Sequence, residues 1–101
     1  MQSILIVDDE ISIRESLTGI LQDEGFHPVS VESGERAIER VSEEKPDLVL
    51  LDIWMPGMDG IEVAGHLCQL ENPPAVIFTT AYDEYAVTAF ETHAVGYLRK
   101  P

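Results

Sequence analysis

The sequence predicts an α/β fold, with one parallel sheet wound on both faces by helices. Three observations predict it. Short apolar runs such as ILIV, LVLL and AVIF alternate with stretches whose apolar residues recur at helical spacing. The runs lack polar alternation, as strands buried on both faces do. Residues that form turns, chiefly Gly and Pro, separate the two kinds of stretch. A repeated strand–helix order of this kind calls for right-handed crossovers between parallel strands.

Residues 3–7 (SILIV) read as a first, fully buried strand. Asp9 or Glu10 opens a helix that runs to about Glu24, with Ile13, Leu17, Ile20 and Leu21 on one face and Gly25 as its C-terminal cap. Residues 28–31 (PVSV) form a short second strand, placed at an edge because Pro28 has no N–H to donate. Ser33 caps a second helix that carries Ala37, Ile38 and Val41. After the break at Lys45-Pro46, residues 47–51 (DLVLL) make the central strand. The turn MPGMDG, residues 55–60, leads into a third helix with Ile61, Ala64, Leu67 and Cys68 at helical spacing. Asn72-Pro73-Pro74 stops that helix, and 75–79 (AVIFT) is the fourth strand. A fourth helix is expected over 83–92, and a fifth strand over 95–98 (VGYL).

At 101 residues the chain suits one domain with one core. Six basic residues against 19 acidic ones give a net charge of −13, which disfavours contact with nucleic acid or an anionic membrane. No apolar run is long enough to span a bilayer, and residues 1–3 lead into a strand with no basic leader. A cytoplasmic setting is expected. Cys68 is the single cysteine and reads as a small buried helix residue. His27, His66 and His93 have no metal-ligand spacing.

The chemistry lies at the ends of the runs. ILIV ends in Asp8 and Asp9, LVLL in Asp52, AVIFT in Thr80, and VGYLR in Lys100. In open parallel sheets the ligand sites lie beyond the carboxyl ends of the strands. These five groups should therefore meet at one sheet edge. An acid can cap a helix or turn, and for any one Asp that reading is at least as good. Five such groups on one edge point instead to an Asp that accepts a phosphoryl group with Mg²⁺. Asp52, on the central strand, is the nucleophile. Asp8 and Asp9 repel it and each other until a hard cation is bound. Mg²⁺ takes oxygen ligands, and the carbonyl of Trp54 offers another. Lys100 and Thr80 would hold phosphoryl oxygens. The Trp54 ring either covers the acids or is a partly exposed loop aromatic. Tyr82 and Tyr85 either gate the site or pack on a helix.

The segments ILIVDDE (4–10), LLDIWMPGMDG (50–60), TTA (79–81) and GYLRKP (96–101) resemble the receiver domain of two-component response regulators. The resemblance implies a flavodoxin-like five-stranded sheet in the order 2-1-3-4-5. It implies that Asp52 is the phosphoacceptor, served by a sensor histidine kinase. It makes Asp9 and the Trp54 carbonyl direct metal ligands, with Asp8 holding metal through water. Thr80 and Lys100 become the pair that senses the phosphoryl group, Tyr97 the aromatic that switches with it, and Lys100-Pro101 a cis peptide. Such a domain takes up and slowly hydrolyses its phosphoryl group, without being a turnover enzyme. It controls an output, here expected to be transcription.

Residues 1–63 resemble receivers of sigma-54-dependent activators, and residues 64–101 those joined to LytTR domains, a division that fits a chimera. Against the family pattern the chain is expected to be truncated before a fifth helix, which would leave one sheet face bare and favour a homodimer or swapped oligomer. Two other functions compete. An aspartyl phosphatase of the haloacid-dehalogenase type would need a second Asp two residues after the nucleophile, where Trp54 stands. An interaction module that has lost phosphorylation would not need the complete acid cluster.

Overall fold

The computed structural model describes residues 2–80 and 96–99. Its elements, in chain order, are β1 (Ser3–Val7), α1 (Ile11–Asp23), β2 (His27–Val31), α2 (Gly34–Glu44), β3 (Leu48–Asp52), α3 (Gly60–Leu67), β4 (Ala75–Thr80) and β5 (Gly96–Arg99). The helix expected over 83–92 lies outside the described residues, as does the Lys100-Pro101 bond expected to be cis. The five strands form one parallel sheet in the order β2-β1-β3-β4-β5. This is the flavodoxin-like order, and β2 with its Pro28 does lie at an edge.

Strand parity divides the core into two layers. Leu5, Val7, Val49, Leu51, Val76 and Phe78 pack with Ala37 and Val41 of α2 and Val63, Ala64 and Leu67 of α3. The alternate residues Ile4, Ile6 and Leu50 pack with Leu17 of α1. The sheet is therefore covered on both faces, which explains why its strands read as unbroken apolar runs. Burying each large side chain contributes about 1.5–3 kcal/mol.

The two faces are unequal around β4. Val76 and Phe78 are buried, whereas Ile77 is half-buried and Ala75 exposed on the face that α1 shares. The α1 stripe is narrower than its sequence pattern. Ile13, Leu17 and Leu21 face the sheet, but Ile20 is 53% exposed. Ile20 stands about 60° round the helix from Leu17, at the margin of a stripe that Leu17 centres.

Local signals place the helix ends. Gly25, at φ +88°, follows α1, and its N–H donates to the Gln22 carbonyl while that of Phe26 donates to Leu21. The Ser33 hydroxyl accepts from the Arg36 N–H at 3.3 Å and caps α2. The α2 helix closes on Lys45, which takes a left-handed conformation at φ 48°. Asp59 caps α3 in a reciprocal box with Glu62. Asp47 ties the start of β3 to β1, accepting from the Ser3 N–H and donating its own N–H to the Ser3 carbonyl, both at 2.9 Å.

Candidate functional site

Register brings the first two acids together. Val7 of β1 pairs with Leu51 of β3, so Asp8 and Asp52 stand side by side one step beyond. The Asp8 N–H still reaches the Val31 carbonyl of β2 at 3.2 Å, which keeps Asp8 in line with the sheet. Asp8 and Asp52 are each only 1% exposed, while Asp9 is exposed. Carboxylate oxygens of Asp8, Asp9 and Asp52 all lie within 4.8 Å of one another. Among the described residues the three form the candidate metal-binding group.

Neither Asp8 nor Asp9 serves as the cap of α1. The N-cap is Glu10, whose side chain makes no capping bond. Asp8 Oδ1 instead accepts the Glu10 N–H at 2.9 Å in a local turn, and its carbonyl oxygen accepts from the Arg14 guanidinium at 2.8 Å. The turn therefore occupies Oδ1 but leaves the acid pair facing Asp52.

Three carboxylates this close repel one another, and hard oxygen donors are what Mg²⁺ prefers. The cluster thus fits such an ion, which would lie between Asp8, Asp9 and Asp52. Trp54 follows Asp52 by two residues, in the turn between β3 and α3, and its side chain is 51% exposed. This agrees with the partly exposed loop aromatic. Beyond Asp52 the chain doubles back, and the Gly60 N–H donates to the Ile53 carbonyl at 2.9 Å. That bond sets the start of α3 against the end of β3.

Thr80 is the last residue of β4 and pairs with Arg99 of β5. Asp52 pairs with Thr79, so Thr80 stands one step further along its strand. Tyr97 pairs with Phe78. The backbone thus brings Thr80 to the same sheet edge as Asp8 and Asp52. Lys100, Pro101, Tyr82, Tyr85 and His93 lie outside the described residues. Cys68 is half-buried as the C-cap of α3, where its thiol donates to the Gly65 carbonyl at 3.2 Å. Two contributors escaped the sequence reading. Arg14 gave no signal there, and the Asp59 cap was legible as D-x-x-E before an apolar run.

The order 2-1-3-4-5, with acids at the ends of the first and third strands, is the arrangement the resemblance implied. A profile for the response regulator receiver domain matches residues 4–101.

The chain belongs to the response regulator receiver domain family.

It is similar to the positive alginate biosynthesis regulatory protein of Pseudomonas aeruginosa, with 52% identity over 98% of this chain and 41% of that protein. It is 40% identical to the sensory transduction protein LytT of Bacillus subtilis, over 100% of this chain and 43% of that protein. The receiver therefore spans about two-fifths of the length of these relatives, and both alignments run across its two halves. Among solved structures it resembles the response regulator TrrA of Thermotoga maritima in complex with Mg²⁺-BeF. That likeness has a TM-score of 0.93 and 40% identity, and covers 100% of this chain and 88% of the other. As a receiver, the domain belongs to two-component, phosphorylation-dependent signalling. Among the described residues no helix is long and apolar enough to cross a membrane.

Proposed function

We propose that this receiver accepts a phosphoryl group on Asp52 from the phosphohistidine of a sensor kinase. The observation that carries the reading is the trio Asp8, Asp9 and Asp52, with carboxylate oxygens within 4.8 Å of one another at the sheet edge. A carboxylate oxygen of Asp52 attacks phosphorus, the P–O bond forms as the P–N bond breaks, and the electron pair leaves on the imidazole. Asp9, Asp52 and the Trp54 carbonyl would hold Mg²⁺, with Asp8 holding it through water. Bound there, the ion offsets the charge that gathers on the transferring oxygens. Water later attacks the aspartyl phosphate slowly, so the domain is a switch and not a turnover enzyme.

Thr80 and Lys100 then engage the phosphoryl oxygens, and Tyr97 follows them on β5. The surface built around β4 and β5 thereby takes a second state, which biases an output. In the full-length protein that output is transcription, a reading compatible with the alginate relative being named a biosynthesis regulatory protein. The Mg²⁺-BeF complex of TrrA is further support for the metal reading.

Intact-mass analysis after incubation with acetyl phosphate and Mg²⁺ tests the assignment. One phosphoryl group should be added to the wild type and none to Asp52→Asn or to a sample in EDTA. Peptide mapping that placed the group on Thr80 or a histidine, with Asp52 unmodified, would overturn it.

A further inference from the structure

We propose that Arg14 is the positioning residue of the acidic cluster. By donating a guanidinium hydrogen bond to the Asp8 carbonyl oxygen, it fixes the backbone that presents Asp8 and Asp9 to metal. The inference deepens the Mg²⁺ reading above and rests on it.

Helix α1 begins without a side-chain cap. Four N–H groups at a helix start need partners, and a Ser, Thr, Asp or Asn at the N-cap normally supplies one. Here the N-cap is Glu10, and its side chain makes no such bond. The link from β1 to α1 is only Asp8, Asp9 and Glu10, so two metal-site acids sit on a connection that lacks the usual fastening. Arg14 fastens it twice. Its main-chain N–H donates to the Glu10 carbonyl at 3.2 Å, which closes the first turn. Its guanidinium reaches back to the Asp8 carbonyl at 2.8 Å. The short length and the charge on the donor mark this as one of the stronger kinds of hydrogen bond. The side chain is half-buried, which shields the bond from competing water.

A second tie in the turn depends on the same backbone. Asp8 Oδ1 accepts the Glu10 N–H at 2.9 Å. If the Asp8 carbonyl is released, the peptide between Asp8 and Asp9 can rotate, and both carboxylates move relative to Asp52. Groups that orient metal ligands commonly govern affinity as much as the ligands do.

Two roles for Arg14 predict opposite signs. A cation acting only through space opposes Mg²⁺, so its removal would tighten metal binding. A positioning residue favours Mg²⁺, so its removal weakens binding. Calorimetric titration of wild type, Arg14→Met and Arg14→Lys with Mg²⁺ separates them. R14M keeps the apolar stem and should bind about tenfold more weakly. R14K keeps a donor and should recover part of that loss. Amide exchange followed by NMR in EDTA should show the Glu10 N–H exchanging faster in R14M than in wild type. R14Q carries the same comparisons where R14M does not fold.

Tighter Mg²⁺ binding by R14M would overturn the proposal, as would unchanged affinity or unchanged Glu10 exchange. A wild type that gives no Mg²⁺ heat would overturn the metal reading and this inference with it. A wild type that binds beside variants that bind equally well would overturn this inference alone.

Discussion

Gly60 lies so close to the main chain of Asp52 that a Cβ at position 60 would collide with the Asp52 carbonyl oxygen. The first residue of α3 therefore packs directly on the last residue of β3, and the Gly60–Ile53 hydrogen bond locks that approach. Any side chain here must push α3 away or shift the backbone of the acid that the site is built around.

Gly60→Ala should destabilise the fold by about 1–3 kcal/mol, the usual cost of overpacking. Helix propensity alone predicts the reverse sign, since Ala exceeds Gly by about 1 kcal/mol. Urea denaturation of the two proteins decides between them, and a more stable variant would show that the contact relaxes freely.

Gly65 lies in the same helix, yet a Cβ there meets nothing within 4 Å. Gly65→Ala should stabilise by about 0.5–1 kcal/mol, because only the propensity difference remains. Measured beside Gly60→Ala in the same urea series, it gives a pair of opposite signs within one helix.

Lys45 ends α2 at φ 48°, a conformation that costs an L-residue with a Cβ about 1–2 kcal/mol. Lys45→Gly should therefore raise stability by about 1 kcal/mol, which is the strain released less the entropy lost by glycine. The residue is exposed and precedes the start of β3, whereas Asp52 lies at the far end of that strand, so Mg²⁺ affinity should not change. Thermal melts and a Mg²⁺ titration of the variant check both statements.

Much of this architecture was legible because it rests on local patterns. Ser3–Val7 is the predicted first strand residue for residue; β2 and β4 are each longer by one residue at one end, and β3 and β5 are each shifted by one residue along the chain. Ser33 and Gly25 perform the capping assigned to them. Asp8, Asp9 and Asp52 could be placed together because each follows an apolar strand of a parallel sheet, whose carboxyl ends share one edge, while the strand order came from the family resemblance. Ile20 misled because helical spacing marks a wide stripe, whereas the sheet beneath α1 accepts only the narrower one centred on Leu17. Gly60 and Arg14 were not legible at all. Their roles depend on one main-chain carbonyl approaching from another element or an earlier turn, and no pattern of residue types encodes that distance.

Asp9 offers the sharpest test of the acidic cluster, because it is the exposed member of the trio. Its carboxylate lies within 4.8 Å of two buried ones, and a like-charge pair at such a distance costs about 1 kcal/mol even in water. Folding creates this repulsion, since the unfolded chain holds Asp52 far from Asp8 and Asp9. Asp9→Asn removes one charge with little change of shape, so it should raise stability in EDTA by about 1 kcal/mol. Wild type should gain stability from Mg²⁺, because an ion that binds only the folded state adds about 2.7 kcal/mol at a hundred times its Kd. Asp9→Asn should lose most of that gain. In thermal melts at matched ionic strength, the variant should therefore melt above wild type in EDTA and below it in saturating Mg²⁺. A variant that melts below wild type in both would mean that Asp9 stabilises the fold directly. One that keeps the full Mg²⁺ gain would remove Asp9 from the ligand set.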